Sequence, residues 1–376
     1  MAEARPRTAL VLGGGGARGA YEAGVLAYLF EEIYPRLPAG FEFDILSGTS
    51  VGAIHAAYLA ASAGEPAPAR AARLRAGGNR LVGGLADFSA LERLVAERIP
   101  WQALAPNLAG GRPGALCISC TEVRSGRVTV FMDGPLTDPS PWSYDPGAHA
   151  VQTRLGAAHV RASAAIPFLF PAVQIGDRYY VDGGMRMNTP LAPALRLGAE
   201  RVLVIALKRI PACSAGLPAY PEEVITQPAF LLGKVLDALL LDPLEYELVR
   251  LEIVNSWIEH GDELYGADFL DRINVAVESK RGVGYRRVSH LALRPSEDLA
   301  VLAARCHERA AGRSLGRVAT LLTRLARRGV PEGEADLLSY LYFDASFTRE
   351  LIELGRSDAA AAREDILALL AESPPA

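Results

Sequence analysis

The chain has 376 residues, of which 50% are hydrophobic and 22% are charged, and its formal net charge at pH 7 is -4. This length and apolar content suffice for a large buried core with room for a second module. The slightly acidic balance excludes a chain-wide positive field for nucleic acid, so we expect no nucleic-acid partner.

Membrane and export signals are not predicted. The sequence contains no stretch of 18 apolar residues, so we expect no transmembrane helix. The apolar run before the first glycines covers only residues 9–12, which is too short for the apolar segment of a secretory signal peptide. We therefore expect a cytoplasmic protein.

The first predicted element is a strand at residues 9–12, followed by a glycine loop and a helix at 20–32. Residues 13–19 read GGGGARG. A strand, a glycine loop and a helix N-terminus together present unpaired backbone N–H groups and the positive end of a helix dipole, which predicts an anion site. The anion could be a nucleotide phosphate or the oxyanion of a tetrahedral acyl-transfer intermediate. A tight turn that binds nothing is the third interpretation.

The nucleotide interpretation has a specific weakness. The loop fits G-x-G-x-x-G from Gly14, but a dinucleotide fold requires an acidic residue that ends the second strand and holds a ribose. Here the second strand leads to a serine turn, although Asp44 lies within it. A P-loop is excluded because no Gly-Lys-Ser/Thr closes the loop. We therefore favour the oxyanion.

The serine turn lies between a predicted strand at 41–46 and a predicted helix at 53–63, and residues 48–52 read GTSVG. G-x-S-x-G at a strand-to-helix turn is typical of a nucleophile elbow. An elbow forces unusual backbone angles on its serine, and bulky neighbours at Gly48 and Gly52 would collide with the strand or the helix. The pattern predicts Ser50 as a nucleophile, provided that a proton acceptor lies nearby.

The next predicted elements are a helical stretch at 67–104, a hairpin with strands at 115–121 and 127–131, a loop at 135–147 and a helix at 151–163. A strand then ends in Asp182-Gly183-Gly184. A carboxylate at a strand end can lie beside Ser50 and accept its proton. A plain surface turn is the alternative interpretation of an Asp-Gly pair.

Metal and histidine chemistry are not predicted. Cys117 and Cys120 form a C-x-x-C on a predicted strand, where residues three apart point to opposite faces, and no second pair completes a zinc site. Cys213 and Cys306 are isolated, and all four cysteines are predicted to be free thiols. No histidine lies in an obvious loop after a core strand, so structural or surface roles are favoured for all six: His55, His149, His159, His260, His290 and His307. We expect no metal and no cofactor.

The remaining elements complete the fold prediction. A helix at 190–198 and a strand at 201–207 continue the alternation, which predicts an α/β fold with a mostly parallel central sheet flanked by helices on both faces, in three layers. Residues 209–376 are predicted to be mainly helical and to pack on or cover a catalytic domain at 8–208. Their predicted helices are 222–260, 299–312, 314–328, 334–343, 347–354 and 359–370, with strands at 273–278 and 289–293.

Glycine loop, serine elbow and Asp-Gly-Gly, in this order, resemble the patatin-like phospholipase family. The resemblance extends to RASAAIP at 161–167, Phe170-Pro171 and NTPL at 188–191, and so covers roughly residues 8–208. It implies that Ser50 is the nucleophile and Asp182 its general base, in a dyad without histidine. It further implies an oxyanion loop with an adjacent cation, formed by Gly14, Gly15, Gly16 and Arg18. The supporting motif residues are Gly19, Gly48, Gly52, Gly183 and Gly184.

The function implied by the resemblance is hydrolysis of lipid acyl esters, as in phospholipase A or lysophospholipase. The partner would be a lipid or a membrane-surface substrate, with the protein cytoplasmic or peripheral to the membrane. Two alternatives remain: acyl transfer from the same acyl-enzyme to an alcohol or thiol, and a non-catalytic lipid-binding protein. A nucleotide-binding protein is the weakest rival. The lipid class, the acyl position and the oligomeric state are left open.

Overall fold

The structure is a computed structural model that describes residues 5–78, 88–167, 169–209, 226, 244–309 and 336–371. Over these residues the chain forms a nine-stranded sheet with helices on both faces. This arrangement confirms the predicted fold class. Within the same residues, no helix combines the length and the apolar character needed to cross a bilayer.

The elements are as follows in chain order. The strands are β1 (Thr8–Leu12), β2 (Ile45–Thr49), β3 (Ala115–Glu122), β4 (Val128–Asp133), β5 (Ala148–Gln152), β6 (Val173–Ile175), β7 (Arg178–Asp182), β8 (Arg201–Ile205) and β9 (Ser289–Leu293). The helices are α1 (Gly19–Tyr28), α2 (Val51–Ala61), α3 (Ala67–Gly78), α4 (Phe88–Arg98), α5 (Trp101–Ala109), α6 (Ala157–Ser163), α7 (Leu191–Arg196), α8 (Leu244–Tyr265), α9 (Phe269–Arg281), α10 (Leu299–Arg309), α11 (Asp336–Leu341), α12 (Ala345–Ala361) and α13 (Arg363–Ala371).

The sheet has the strand order β5-β4-β3-β2-β1-β8-β9. Its centre is parallel, because β1 pairs in parallel with β2 and β8, β2 with β3, and β8 with β9. Strand β4 is antiparallel to β3, and β7 is antiparallel to the far end of β3. The carboxyl ends of β1 and β2 therefore lie at one edge of the sheet, where open α/β sheets bind ligands.

Two apolar layers cover the two faces of the sheet. Leu10 and Leu12 of β1 belong to one buried cluster, whereas Ala9 and Val11 belong to the other. This alternation is the period of two that a strand imposes on its side chains. Cys120 and Cys117 likewise lie in opposite clusters and are free, as predicted. Burial raises the pKa of the Cys117 thiol to about 12.

The C-terminal residues are integrated with the N-terminal ones. Strand β9 extends the sheet beyond β8, and α12 crosses α1 at very short range. A Cβ atom on Gly24 of α1 would lie 2.1 Å from the Ile352 carbonyl oxygen, and one on Gly355 would lie 2.2 Å from the Tyr21 carbonyl oxygen. These two glycines let the helix backbones touch. The division into domains at 8–208 and 209–376 stays a prediction.

Three predicted elements differ from the structure. The strand predicted at 41–46 is β2, which begins at Ile45 and continues to Thr49. The helix predicted at 151–163 is the end of β5, a linker and the short helix α6, because pairing with β4 draws residues 148–152 into the sheet. The strand predicted at 273–278 lies within helix α9.

Other predictions fall outside the described residues. They concern the first part of the helix predicted at 222–260, the helix predicted at 314–328, residues 79–87 of the predicted helical stretch, and Cys213. The strand predicted at 289–293 is β9, and the helices predicted near 299–312, 334–343, 347–354 and 359–370 correspond to α10, α11, α12 and α13.

The contact between α1 and α12 generates a test of stability. Replacing a helical glycine by alanine usually stabilises a helix by about 1 kcal/mol. For Gly24→Ala we expect the opposite sign, a loss of about 1–3 kcal/mol in the free energy of unfolding, because the new Cβ atom would overlap the Ile352 carbonyl. Urea unfolding followed by circular dichroism measures the difference.

Gly156→Ala is the matched control, since a Cβ atom there has no neighbour within 4 Å. We expect its free energy of unfolding to stay within about 0.5 kcal/mol of wild type. Equal stability of the two variants would show that α1 and α12 do not pack as closely as described.

Candidate active site

Ser50 lies at the turn between β2 and α2 with φ 55 and ψ -122. Among the described residues it alone, apart from glycines, has a positive φ. The turn is tight, because a Cβ atom on Gly48 would lie 2.3 Å from the Gly52 carbonyl oxygen and one on Gly52 would lie 2.3 Å from the Leu12 carbonyl oxygen. The serine therefore adopts the strained backbone of a nucleophile elbow, held by glycines that allow close approach.

The backbone N–H of Ser50 is held by a buried hydroxyl. It donates to Ser163 Oγ at 2.9 Å, and that hydroxyl in turn donates to the Ser119 carbonyl oxygen at 2.7 Å. Ser163 is fully buried at the end of α6, so its hydroxyl connects α6, β3 and the elbow. This bridge satisfies a backbone donor that the unusual turn would otherwise leave without an acceptor.

Asp182 reaches Ser50 from the end of β7. Ser50 Oγ donates to Asp182 Oδ2 at 2.6 Å, and Gly184 N–H donates to Asp182 Oδ1 at 2.7 Å. The backbone passes close to β3 here, because a Cβ atom on Gly183 would lie 2.3 Å from the Ser119 carbonyl oxygen. The structure thus brings together the two residues that the sequence places 132 positions apart.

Burial shapes the acidity of this carboxyl group. Asp182 is 1% exposed, and loss of solvation raises its pKa to about 6, against the opposing hydrogen bonds from Ser50 and Gly184. A carboxylate of raised pKa is a stronger base than a solvated one and is still mostly ionised at neutral pH. Its proton affinity is therefore suited to accepting the hydroxyl proton of Ser50.

The glycine loop follows β1 directly beside Ser50. Gly13 N–H donates to the Ile205 carbonyl at 3.2 Å, and Gly14 N–H donates to the Asn188 carbonyl at 2.9 Å. A Cβ atom on Gly14 would lie 3.2 Å from Ser50 Cβ, so the loop passes the serine at van der Waals distance.

The next two amides of the loop differ from the first two. In the described part of the chain no acceptor is bonded to the N–H groups of Gly15 and Gly16. Gly16 has φ +55, a backbone conformation that glycine adopts at little cost. These two amides follow directly after Gly14, the glycine that touches Ser50, and they have donor capacity for an anion.

Arg18 and Gly19 continue the loop into α1. Arg18 is 4% exposed, and its Nε donates to Ser339 Oγ at 2.8 Å. Gly19 makes room for the elbow helix, because a Cβ atom on it would lie 2.2 Å from a methyl carbon of Val51. The glycine at this position therefore lets α1 and α2 start side by side.

The histidines lie elsewhere, as the sequence indicates. His55, on α2, bonds through Nδ1 with Glu22 Oε2 at 2.7 Å and thereby joins α2 to α1. Asp182 accepts one hydrogen bond from the Ser50 hydroxyl and one from the Gly184 N–H, and neither bond involves a histidine. The described residues also contain no group of three or more His, Cys, Asp or Glu side chains that could hold a metal ion.

The arrangement provides three groups that acyl transfer requires. They are a hydroxyl on a strained, buried turn, a carboxylate bonded to that hydroxyl, and two backbone N–H groups in the adjacent glycine loop. These groups come from the carboxyl ends of three strands, β1, β2 and β7.

Comparison with known proteins places this segment in a family. Residues 10–195 match the family model described as Patatin-like phospholipase. That stretch of the chain belongs to the patatin-like phospholipase family. All the motif residues from the glycine loop to Gly184 lie inside it.

Curated relatives are uncharacterized members of the NTE family. One, from Mycobacterium bovis, is 28% identical over 207 residues, which cover 54% of this chain and 49% of the relative. Another, from Mycobacterium tuberculosis, is 31% identical over 253 residues, which cover 64% of this chain and 37% of the relative. The chain therefore spans about half the length of the first of these relatives and a smaller share of the second.

Two solved structures are similar over most of the chain. Human GIVD cytosolic phospholipase A2 aligns with a TM-score of 0.41 and 13% identity, covering 97% of this chain and 60% of that one. VipD from Legionella pneumophila aligns with a TM-score of 0.33 and 13% identity, covering 93% of this chain and 67% of that one.

Some contacts at this site were not predicted from the sequence. Ser163 and Asn188 lie in motifs that carry the family resemblance, but the sequence gives neither of them a role. Ser339 and Tyr340 carry no signal at all, because they lie in a helical segment far from every motif. Their contact with the glycine loop depends on the tertiary structure.

Ser163 generates a test of how the elbow is held. For Ser163→Ala we expect a loss of about 1–3 kcal/mol in the free energy of unfolding, because the buried Ser50 N–H loses its acceptor. Ser62→Ala is a matched control, since Ser62 is also fully buried but its hydroxyl bonds at a long 3.4 Å to the Leu59 carbonyl and lies beside the Tyr58 hydroxyl, away from the elbow. Urea unfolding of both variants compares them. A loss no larger than that of Ser62→Ala would contradict the bridge.

Proposed function

We propose that this protein is a serine hydrolase that cleaves lipid acyl esters, as phospholipase A or lysophospholipase does, through a dyad of Ser50 and Asp182. The observation that carries the proposal is the 2.6 Å hydrogen bond from the strained elbow serine to a buried carboxylate. Membership of residues 10–195 in the patatin-like phospholipase family supports the lipid class of the substrate.

Acylation begins at the Ser50 hydroxyl. As Oγ attacks the ester carbonyl carbon, its proton passes to Asp182 Oδ2, and the carbonyl oxygen becomes an oxyanion. The N–H groups of Gly15 and Gly16 donate to that oxyanion, and the dipole of the helical segment that follows them adds to its stabilisation. Collapse of the intermediate breaks the bond to the alcohol, which leaves with the proton held by Asp182.

Deacylation repeats the proton transfer with water. Asp182, again ionised, accepts a proton from a water molecule that attacks the acyl-enzyme carbonyl. The second tetrahedral intermediate expels Ser50 Oγ, which recovers its proton from Asp182, and the free carboxylic acid is released. One turnover converts an ester and a water molecule into an alcohol and a carboxylic acid, and it regenerates the enzyme without a cofactor.

The loop residues have separate roles in this proposal. Gly14 anchors the loop to Asn188. Its N–H donates to the Asn188 carbonyl, and its carbonyl accepts a hydrogen bond from Asn188 Nδ2 at 3.1 Å. Gly15 and Gly16 supply the oxyanion donors. Glycines at 19, 48, 52 and 183 permit the close approaches that bring the elements together, and Gly184 binds the base.

The surroundings of the reaction are also part of the proposal. The substrate is presented by a lipid aggregate or a membrane surface, and the protein works in the cytoplasm or at the membrane periphery. Acyl transfer to another acceptor uses the same acyl-enzyme, and product analysis with added alcohol or thiol separates it from hydrolysis.

The direct test uses a fluorophosphonate probe and a series of esters with short to long acyl chains. We expect wild type to be labelled and to hydrolyse esters, Ser50→Ala to lose both properties, and Asp182→Asn to lose at least 10²-fold in rate because the proton acceptor is gone. Circular dichroism confirms that each variant is folded.

Ser62→Ala serves as the control for a buried serine outside the site and is expected to be labelled like wild type. Labelling that persists in Ser50→Ala would refute the assignment of the nucleophile. Binding of lipid vesicles without labelling or turnover by wild type would favour the non-catalytic alternative.

The pH dependence is a second test. Because Asp182 must be ionised to accept the proton and its pKa is raised to about 6 by burial, we expect kcat/KM to fall about tenfold per pH unit below about pH 6 and to level off above it. A soluble ester assayed from pH 4.5 to 8, with the folded state checked at each pH, gives the profile. A flat profile between pH 5 and 7 would show that Asp182 is not the base.

A further inference from the structure

Arg18 is buried although it lies in the glycine loop. An isolated buried charge is costly, so its contacts are informative. Nε donates to Ser339 Oγ at 2.8 Å, and the guanidinium carbon Cζ lies 3.9 Å from the centroid of the Tyr340 ring. Both partners belong to α11, 321 and 322 positions further along the chain.

The same segment also touches the loop backbone. A Cβ atom on Gly16 would lie 2.4 Å from the Tyr340 carbonyl oxygen, so this carbonyl packs directly against the Gly16 Cα atom. Tyr340 therefore contacts both ends of the short turn from Gly16 to Arg18. Its ring packs on the Arg18 guanidinium, and its carbonyl oxygen packs on Gly16. We call Ser339 and Tyr340 the C-terminal clamp.

The C-terminal clamp can restrain a loop that is flexible by composition. A run of glycines has little intrinsic preference for one conformation, whereas an oxyanion hole requires donors held within a fraction of an ångström. Gly15 and Gly16 have no side chains of their own to anchor them, so they depend on neighbours that pack against their backbone, Leu207 at Gly15 and the Tyr340 carbonyl at Gly16. Arg18 is the first long side chain after them, and holding it fixes the end of the loop.

We propose that the C-terminal clamp is a positioning element of the oxyanion loop, so that Ser339 and Tyr340 preorganise the Gly15 and Gly16 donors through Arg18. This inference rests on the proposed function of the same loop. It implies that residues 10–195, although they carry the whole family match, do not by themselves complete the site. Arg18 acts as a positioning residue, since its guanidinium is engaged by the clamp.

The test uses Tyr340→Leu, which removes the aromatic face, and Tyr340→Phe, which keeps it. We expect Tyr340→Leu to lower kcat about tenfold with KM within about twofold, because a displaced donor weakens transition-state binding more than substrate binding. Tyr340→Phe should retain kcat within about twofold. Tyr246→Leu, at a tyrosine that is 83% exposed on α8, is the control for loss of an aromatic ring and should match wild type.

A second readout does not depend on activity. Hydrogen exchange of the peptide containing residues 13–19 should be faster in Tyr340→Leu than in wild type, with unchanged exchange in the peptide containing Gly183 and Gly184. If Tyr340→Leu does not fold, Ser339→Ala, which removes one hydrogen bond to Arg18, is expected to show the same pattern at a smaller amplitude.

The outcomes separate the two proposals. Hydrolysis by wild type together with unchanged kcat and unchanged exchange in Tyr340→Leu would overturn the clamp and leave the proposed function standing. A rise in kcat would also overturn it, because α11 would then obstruct the site. If wild type hydrolyses no ester, the proposed function fails, and faster exchange at residues 13–19 in Tyr340→Leu would still show that the clamp orders the loop.

Discussion

The contact between Ser50 and Asp182 depends on strand β3, because β2 and β7 both pair with the same edge of this strand. The parallel pairing of β2 with β3 ends where Thr49 lies opposite Ser119. The antiparallel pairing of β7 with β3 starts one residue further along β3, where Asp182 lies opposite Cys120. Ser50 and Asp182 are therefore aligned by consecutive residues of β3. A slip of one residue in the β7 register would turn the carboxylate to the opposite face of the sheet, away from the hydroxyl.

The strain of the elbow is balanced by buried polar contacts from outside the turn. The hydroxyl of Thr49 donates to the Met187 carbonyl at 2.8 Å, and the Ser50 N–H is held by Ser163. The same burial that makes these bonds effective also raises the pKa of Asp182 to about 6. Burial is thus the common basis of the raised pKa of Asp182 and of the strength of the bonds that hold the serine turn.

Sequence reasoning predicts elements best where the pattern is local. It is wrong at 151–163 because β5 owes its conformation to pairing with β4, which no local pattern records. It is wrong at 273–278 because the alternation of Ile273, Val275 and their neighbours resembles a strand, whereas helix signals lie at the ends. These signals are Lys280 and Arg281 in the last turn and Gly282 at φ 78 after it.

The sequence by itself determined the glycine loop, the elbow at Ser50, the strand that ends at Asp182 and the mostly parallel sheet, because turns, caps and alternation depend on near neighbours. The tertiary structure alone decided the registers on β3, the role of Ser163 and the contact of Tyr340 with the loop. Such contacts join residues more than a hundred positions apart. They form because the whole chain buries its apolar surface at once, a property that no segment carries alone.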